Sequence, residues 1–187
     1  MVDRLRQREI ILKAAPVLEW FYYVDYLIKK GIVASKFNLK SRTEFFIKHS
    51  LQHIFEKKIK TIFYKSGLFP YHPINIRNLV RHGREFIPLQ LTGEPIIVIG
   101  SALSQAFSSS CGVISIGPFN CLHTQVTEAV LSREMNAENE KLPFLSLEVD
   151  GNPLSSVNEA RLEAFCLQAE KVHLARHSSK VKMPLSA

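Results

Sequence analysis

Cys121 is the residue with the most chemical potential in this chain. It follows an apolar run that stops at Gly-Pro, in Gly112–Thr124, GVISIGPFNCLHT, just ahead of a helical pattern that opens at Thr124. A helix start presents unpaired N–H groups, which favour an anion and lower the pKa of a thiol placed there. Such a cysteine can serve as a nucleophile or a metal ligand, and an inert loop cysteine is the competing reading. Gly117, Pro118 and Asn120 shape its turn, and His123 lies two residues on. A second loop, 150–156, contributes Asp150 and Asn152, with Glu148 just before it. Both loops follow strand-like runs, and doubly wound sheets bind ligands beyond the carboxyl ends of their strands. A thiol enzyme with Cys121 as nucleophile and His123 as base ranks last, because residues two apart rarely aim together from a turn.

The other two cysteines read as structural. Cys111 precedes the strand that Cys121 follows, so about 20 Å separates them along a straight strand, too far to share a metal or cluster. Cys166 sits mid-helix in Ala164-Phe165-Cys166-Leu167. Two histidine pairs, His49/His53 and His173/His177, have the i,i+4 spacing that zinc sites use, but neither has an adjacent Glu or an evident third ligand. There is no phosphate-binding loop of the Walker type, no Gly-rich dinucleotide fingerprint and no G-x-S-x-G, so no nucleotide site is expected. Trp20-Phe21-Tyr22-Tyr23 suits a helix core better than a base-stacking surface.

The elements that must position these residues emerge from the pattern. The 187 residues, 46% hydrophobic and 22% charged, suffice for one core-bearing domain. No run is long and apolar enough for a membrane span, and no leader is evident. Three cysteines without a framework spacing suggest a reducing, cytoplasmic setting. Charge is asymmetric: residues 1–91 hold 17 Lys/Arg against 7 Asp/Glu, or +10, and residues 92–187 hold 7 against 10, or −3.

Arg8–Ala14 reads as a buried strand ended by Pro16, and Glu19–Lys30 as a helix capped by Gly31. Ser41 and Glu44 fit a capping box that opens a helix to Gly67. Its apolar stripe, Ile47, Leu51, Ile54, Phe55, Ile59 and Ile62, is expected to pack onto the domain and leave the lysines solvated. Another helix spans 74–86, and 92–107 has helical spacing although Ile96-Ile97-Val98-Ile99 alone would suit a strand. Then come a strand at Val113–Ile116, a helix at Thr124–Met135, a strand at Phe144–Val149 and a helix at Val157–His173. That alternation argues for parallel strands joined by crossovers.

The assembled residues resemble a known family. Ala15-Pro16-Val17-Leu18-Glu19-Trp20 with Tyr23, Gly117-Pro118-Phe119-Asn120-Cys121, Leu142–Asn152 and Glu159–Phe165 are similar to segments of 2-hydroxyacyl-CoA dehydratases and of the C-terminal region of large activase-like proteins. The likeness spans most of residues 8–173 and is most specific in the second half. It implies Rossmann-like lobes that hold a [4Fe–4S] cluster through a few cysteines and serve ATP-driven, low-potential electron transfer. By that likeness Cys121 is the cluster ligand, with Gly117, Pro118, Asn120, His123, Glu148, Asp150 and Asn152 around the cofactor. The chain departs from the pattern where relatives often carry Met-Pro after the cysteine, since Leu122-His123 follow here. The ATPase module of the acetate-kinase type that such proteins carry is not found in these residues.

The expectation is a single α/β domain over 1–173, a Rossmann-like partial parallel sheet of three or four strands. A mostly helical basic segment, 17–91, is inserted after the first strand, the core occupies 92–173, and 174–187 form a flexible tail. The expected function is a module of a dehydratase/activase-type iron–sulfur protein, not catalytic alone. Its cluster would be complete only in the parent protein, and its partners would be other domains of that parent or a dehydratase/activase subunit. The alternative is a non-catalytic interaction domain whose basic helical half docks an acidic partner or nucleic acid, the latter being the less expected.

Overall fold

The computed structural model describes residues 1–33, 39–67, 74–136, 141–152 and 154–181. The chain divides into two compact units, one formed by 1–16 with 78–187 and the other by 17–77. Residues 78–91, expected within the helical insertion, group with the α/β part.

The first unit is built on a strand–helix–strand core. Strand β1 (Val113–Pro118) pairs in parallel with β2 (Phe144–Val149), Val113 opposite Phe144 and Pro118 opposite Val149, with helix α6 (Leu122–Met135) as the crossover. Helix α7 (Ser156–Val181) follows β2. Among the described residues the sheet has two strands, not three or four. Side chains alternate across the sheet. Leu145 and Leu147 join Leu162, Phe165, Cys166 and Ala169 of α7 and Leu5 in one core cluster. On the other face α6 buries Thr124, Thr127, Leu131 and Met135.

Residues 8–14 are not a strand. Helix α1 (Val2–Gln7) precedes them, Glu9 turns with a positive φ of 58°, and Ile11 lies almost wholly exposed. Their apolar run joins neither outer edge of the two-stranded sheet, and Ile10 packs against the core cluster instead. Charge also docks the segment: Arg4 meets Glu159 at 2.7 Å, and Arg8 meets Glu163 at 2.7 Å and Glu170 at 3.2 Å. Arg4/Arg8 and Glu159/Glu163 share an i,i+4 spacing, so the two helices match turn for turn. These partly exposed pairs are screened by solvent and set register more than stability.

Residues 95–109 resolve as helix α5, with Pro95 in its first turn. It crosses helix α4 (Ile76–Gly83) closely: a Cβ on Gly83 would stand 2.0 Å from the Ile96 carbonyl oxygen, and one on Gly100 1.9 Å from that of Leu79. Residues 174–181, expected as frayed tail, continue α7, where Arg176 donates to the Ser110 carbonyl at 2.7 Å.

The second unit holds helices α2 (Leu18–Lys29) and α3 (Leu39–Lys65). Ser41 lies inside α3, so it is not the N-cap that a capping box requires. The apolar stripe on α3 does not pack inward as expected, although Lys57 and Lys58 are solvated as expected. Ile47, Leu51, Ile54, Phe55, Ile59 and Ile62 are exposed, whereas Glu56 is buried. The Tyr22 hydroxyl of α2 donates to the Glu56 carboxylate, and Lys60 binds its other oxygen at 2.5 Å. His53 stacks on the Tyr22 ring. A buried carboxylate is costly unless paired, so this polar contact fixes which face of α3 turns inward. Burial and the Glu56 carboxylate together push the Tyr22 phenol above its ordinary pKa. No helix among the described residues is long and apolar enough to cross a membrane.

Candidate functional site

The Gly117–Thr124 and Asp150–Asn152 turns lie side by side beyond the carboxyl ends of β1 and β2. The strand register runs to Pro118 opposite Val149, and Phe119 then donates its N–H to the Val149 carbonyl at 3.0 Å. Proline at the end of β1 supplies no ladder donor and helps stop the strand. Its carbonyl accepts the Cys121 N–H at 3.2 Å, and Asn120 enters the left-handed region with φ 56°. Asn is among the few non-glycine residues that tolerate that conformation, and its side-chain oxygen accepts from Gln125 at 3.1 Å.

Helix α6 starts two residues earlier than the sequence pattern suggests, which makes Cys121 its N-cap. As a thiol it makes no capping hydrogen bond. The Thr124 N–H, the Thr124 hydroxyl and the His123 N–H instead favour its thiolate and hold the pKa below the ordinary 9.0, against partial desolvation and the Glu94 carboxylate. Thr124 can approach this closely because Gly117 lies beneath it: a Cβ there would sit 1.8 Å from the Thr124 Oγ1. Gly117 therefore admits the first turn of α6 to the sheet. Burial raises the Cys166 thiol, and Cys111 lies at the opposite end of β1.

The remaining expected residues take distinct places. Glu148 stands opposite Gly117 in the register, half-buried. Asp150 accepts both the N–H of Asn152, at 3.0 Å, and its side-chain amide, at 2.9 Å, which pulls the carboxyl below its usual range. That turn closes on itself around Gly151, whose φ is +89°. Asp150 and Asn152 thus border the site while spending their hydrogen bonds on each other. His123 is exposed in the first turn of α6, near Gly93.

Three features of the site were missed at the level of sequence. Thr124 favours the Cys121 thiolate through its N–H and hydroxyl, and its position three residues after Cys121 is the signal that would have found it. Phe119 and Leu122, about 70% exposed, put apolar surface on either side of Cys121 along the chain. Glu94 brings a carboxylate from the turn before α5.

A [4Fe–4S] cluster takes four thiolates, and this site offers one. Among the described residues no three His, Cys, Asp or Glu side chains stand assembled as a metal-binding group. The donor set fits one corner of a cluster and no more. No family model, curated protein or solved structure matches the chain.

Proposed function

We propose that this chain is a module of a dehydratase/activase-type iron–sulfur protein in which Cys121 supplies one ligand of a [4Fe–4S] cluster. The other ligands come from further domains of a parent protein or a partner subunit. When bound, such a cluster supplies one-electron transfer at low potential. The observation that carries the reading is the setting of Cys121, a thiolate favoured by helix N–H groups, with exposed Phe119 and Leu122 on either side of it along the chain. Exposed apolar residues beside a lone ligand suit a group buried between two protein surfaces. The Thr124 and His123 N–H groups then donate to the ligating sulfur, and Asn120 with Gly117 sets the turn that presents it. The two-stranded sheet belongs, on this reading, to a larger Rossmann-like sheet of three or four strands.

The test is iron content after anaerobic assembly of the whole protein with iron and sulfide. Cys121→Ser is expected to lower bound iron or make it labile to chelator, with Cys111→Ser and Cys166→Ser unchanged. Equal and equally stable iron in wild type and Cys121→Ser overturns the assignment.

A second reading rests on α3, whose exposed apolar stripe has the exposed Lys58 in its midst. That pattern suits an acidic, amphipathic partner segment. With polyglutamate as probe, binding should weaken as salt rises, and Lys57→Gln/Lys58→Gln should weaken it several-fold at low salt. Binding insensitive to both salt and these lysines excludes this role for the face.

A further inference from the structure

We propose that Cys111, His173 and His177 form a zinc-binding site at the amino-terminal end of β1, on the opposite edge of the sheet from Cys121. The site shares no residue with the Cys121 loop, so it stands or falls independently of the iron–sulfur reading.

Three observations bring these residues together. The Cys111 sulfur lies 3.9 Å from Nδ1 of His173, across 62 residues of sequence. His173 and His177, one turn apart on α7, have ring centroids 4.5 Å apart at 55°. Arg176, on the same stretch of helix, donates to the Ser110 carbonyl at 2.7 Å and so holds this end of α7 against the residue preceding Cys111. Cys111 is itself half-buried against the core cluster that α7 helps build.

The distances suit zinc. With Zn–S near 2.3 Å and Zn–N near 2.0–2.1 Å at a tetrahedral angle, two such donors stand about 3.6 Å apart. The 3.9 Å between Cys111 and His173 is a few tenths of an ångström from that value. The three side chains do not yet surround one point, and the ion completes the set by turning the exposed His177 ring inward. A thiolate with two imidazoles favours zinc over the hard, oxygen-seeking magnesium and calcium. Binding releases the Cys111 proton and requires neutral imidazoles, so affinity falls as pH drops. The fourth position is left to water or another exchangeable ligand.

The experiment is a Zn²⁺ titration of the chelator-stripped 187-residue chain against a chromophoric competitor, followed by Co²⁺ absorption spectra. One Zn²⁺ per chain is expected, with a thiolate-to-cobalt charge-transfer band. Loss of an outer-shell partner already weakens a metal site about 10–100-fold. Cys111→Ser, His173→Gln and His177→Gln should each exceed that, and Cys111→Ser should abolish the band. Cys121→Ser and His53→Gln should bind as wild type. His177 is exposed near the end of α7, so its variant tests the site without threatening the core, and circular dichroism checks that each variant is folded. Failure of wild type to bind zinc, or binding that survives Cys111→Ser or His177→Gln, overturns the proposal.

Discussion

Gly100→Ala is expected to destabilise the α/β unit by about 3 kcal/mol, the upper end of what overpacking usually costs. The sign is the informative part, because Gly→Ala inside a helix ordinarily stabilises by about 0.5–1 kcal/mol. Here the added Cβ would lie 1.9 Å from the Leu79 carbonyl oxygen and 2.7 Å from its carbon. Both are backbone atoms of α4, and no side-chain rotation relieves them. The helices must separate, and the contacts of Leu79, Val80, Ile96 and Ile99, all buried, loosen together. A loss of this size lowers the melting temperature by about 6–12 °C in a protein of this length. Gly31→Ala is the contrast: nothing lies within 4 Å of the added carbon, but φ is +69°, so only the left-handed backbone penalty of about 1–2 kcal/mol applies. Thermal unfolding of both variants decides the matter, and an unchanged or raised melting temperature for Gly100→Ala would show that the α4–α5 crossing is not as close as described.

Alkylation should rank the cysteines, with Cys121 first and Cys166 last by at least about a hundredfold. Cys166 is 2% exposed and its thiol pKa is raised by burial, so reaction waits for a local opening of about 3 kcal/mol. Cys121 lies on a turn, and its thiolate is favoured by the Thr124 N–H and hydroxyl and the His123 N–H. Only the thiolate attacks. A lowered pKa keeps the thiolate present as pH falls beneath the ordinary 9.0, so the Cys121 rate profile should reach its plateau at lower pH than free cysteine. Thr124→Val removes the hydroxyl and keeps the N–H, and the profile should move part of the way back up. A Cys121 profile coincident with that of free cysteine would remove the helix-start account of this thiol, and one unmoved by Thr124→Val would remove the hydroxyl's share in it.

The parallel pair and its crossover were legible because buried parallel strands read as continuous apolar runs. Here Val113–Ile116 and Phe144–Val149 are each closed by a turn signal, Gly117-Pro118 and Asp150-Gly151. Ile10-Ile11-Leu12 carries a similar local signal, but a strand needs a neighbour, and the pattern holds no record of whether one is in reach. On α3 the helix and the solvated Lys57 and Lys58 were right, and the inward face was wrong. Periodicity identifies a stripe without saying which side turns inward, and the deciding contact, Tyr22 with Glu56, joins residues 34 apart. At the candidate site the turn and its cysteine were visible, since Gly-Pro and a helix start are local features. Thr124 was hidden by a two-residue error in the helix boundary. His173 and His177 were recognisable as a pair, and their proposed third ligand was not, because only the fold carries Cys111 to them.

The docking of α1 along α7 bears on how this unit comes into being on the ribosome. Arg4 binds Glu159, 155 residues later, and Leu5 is buried in the same cluster as Leu162 and Phe165. Residues 2–7 are therefore made well before the helix they dock on. They remain without their partners until α7 has been synthesised and has left the exit tunnel. A chain shortened within α7 would strand α1, and in that truncated protein Val2–Gln7 should be the first segment open to protease.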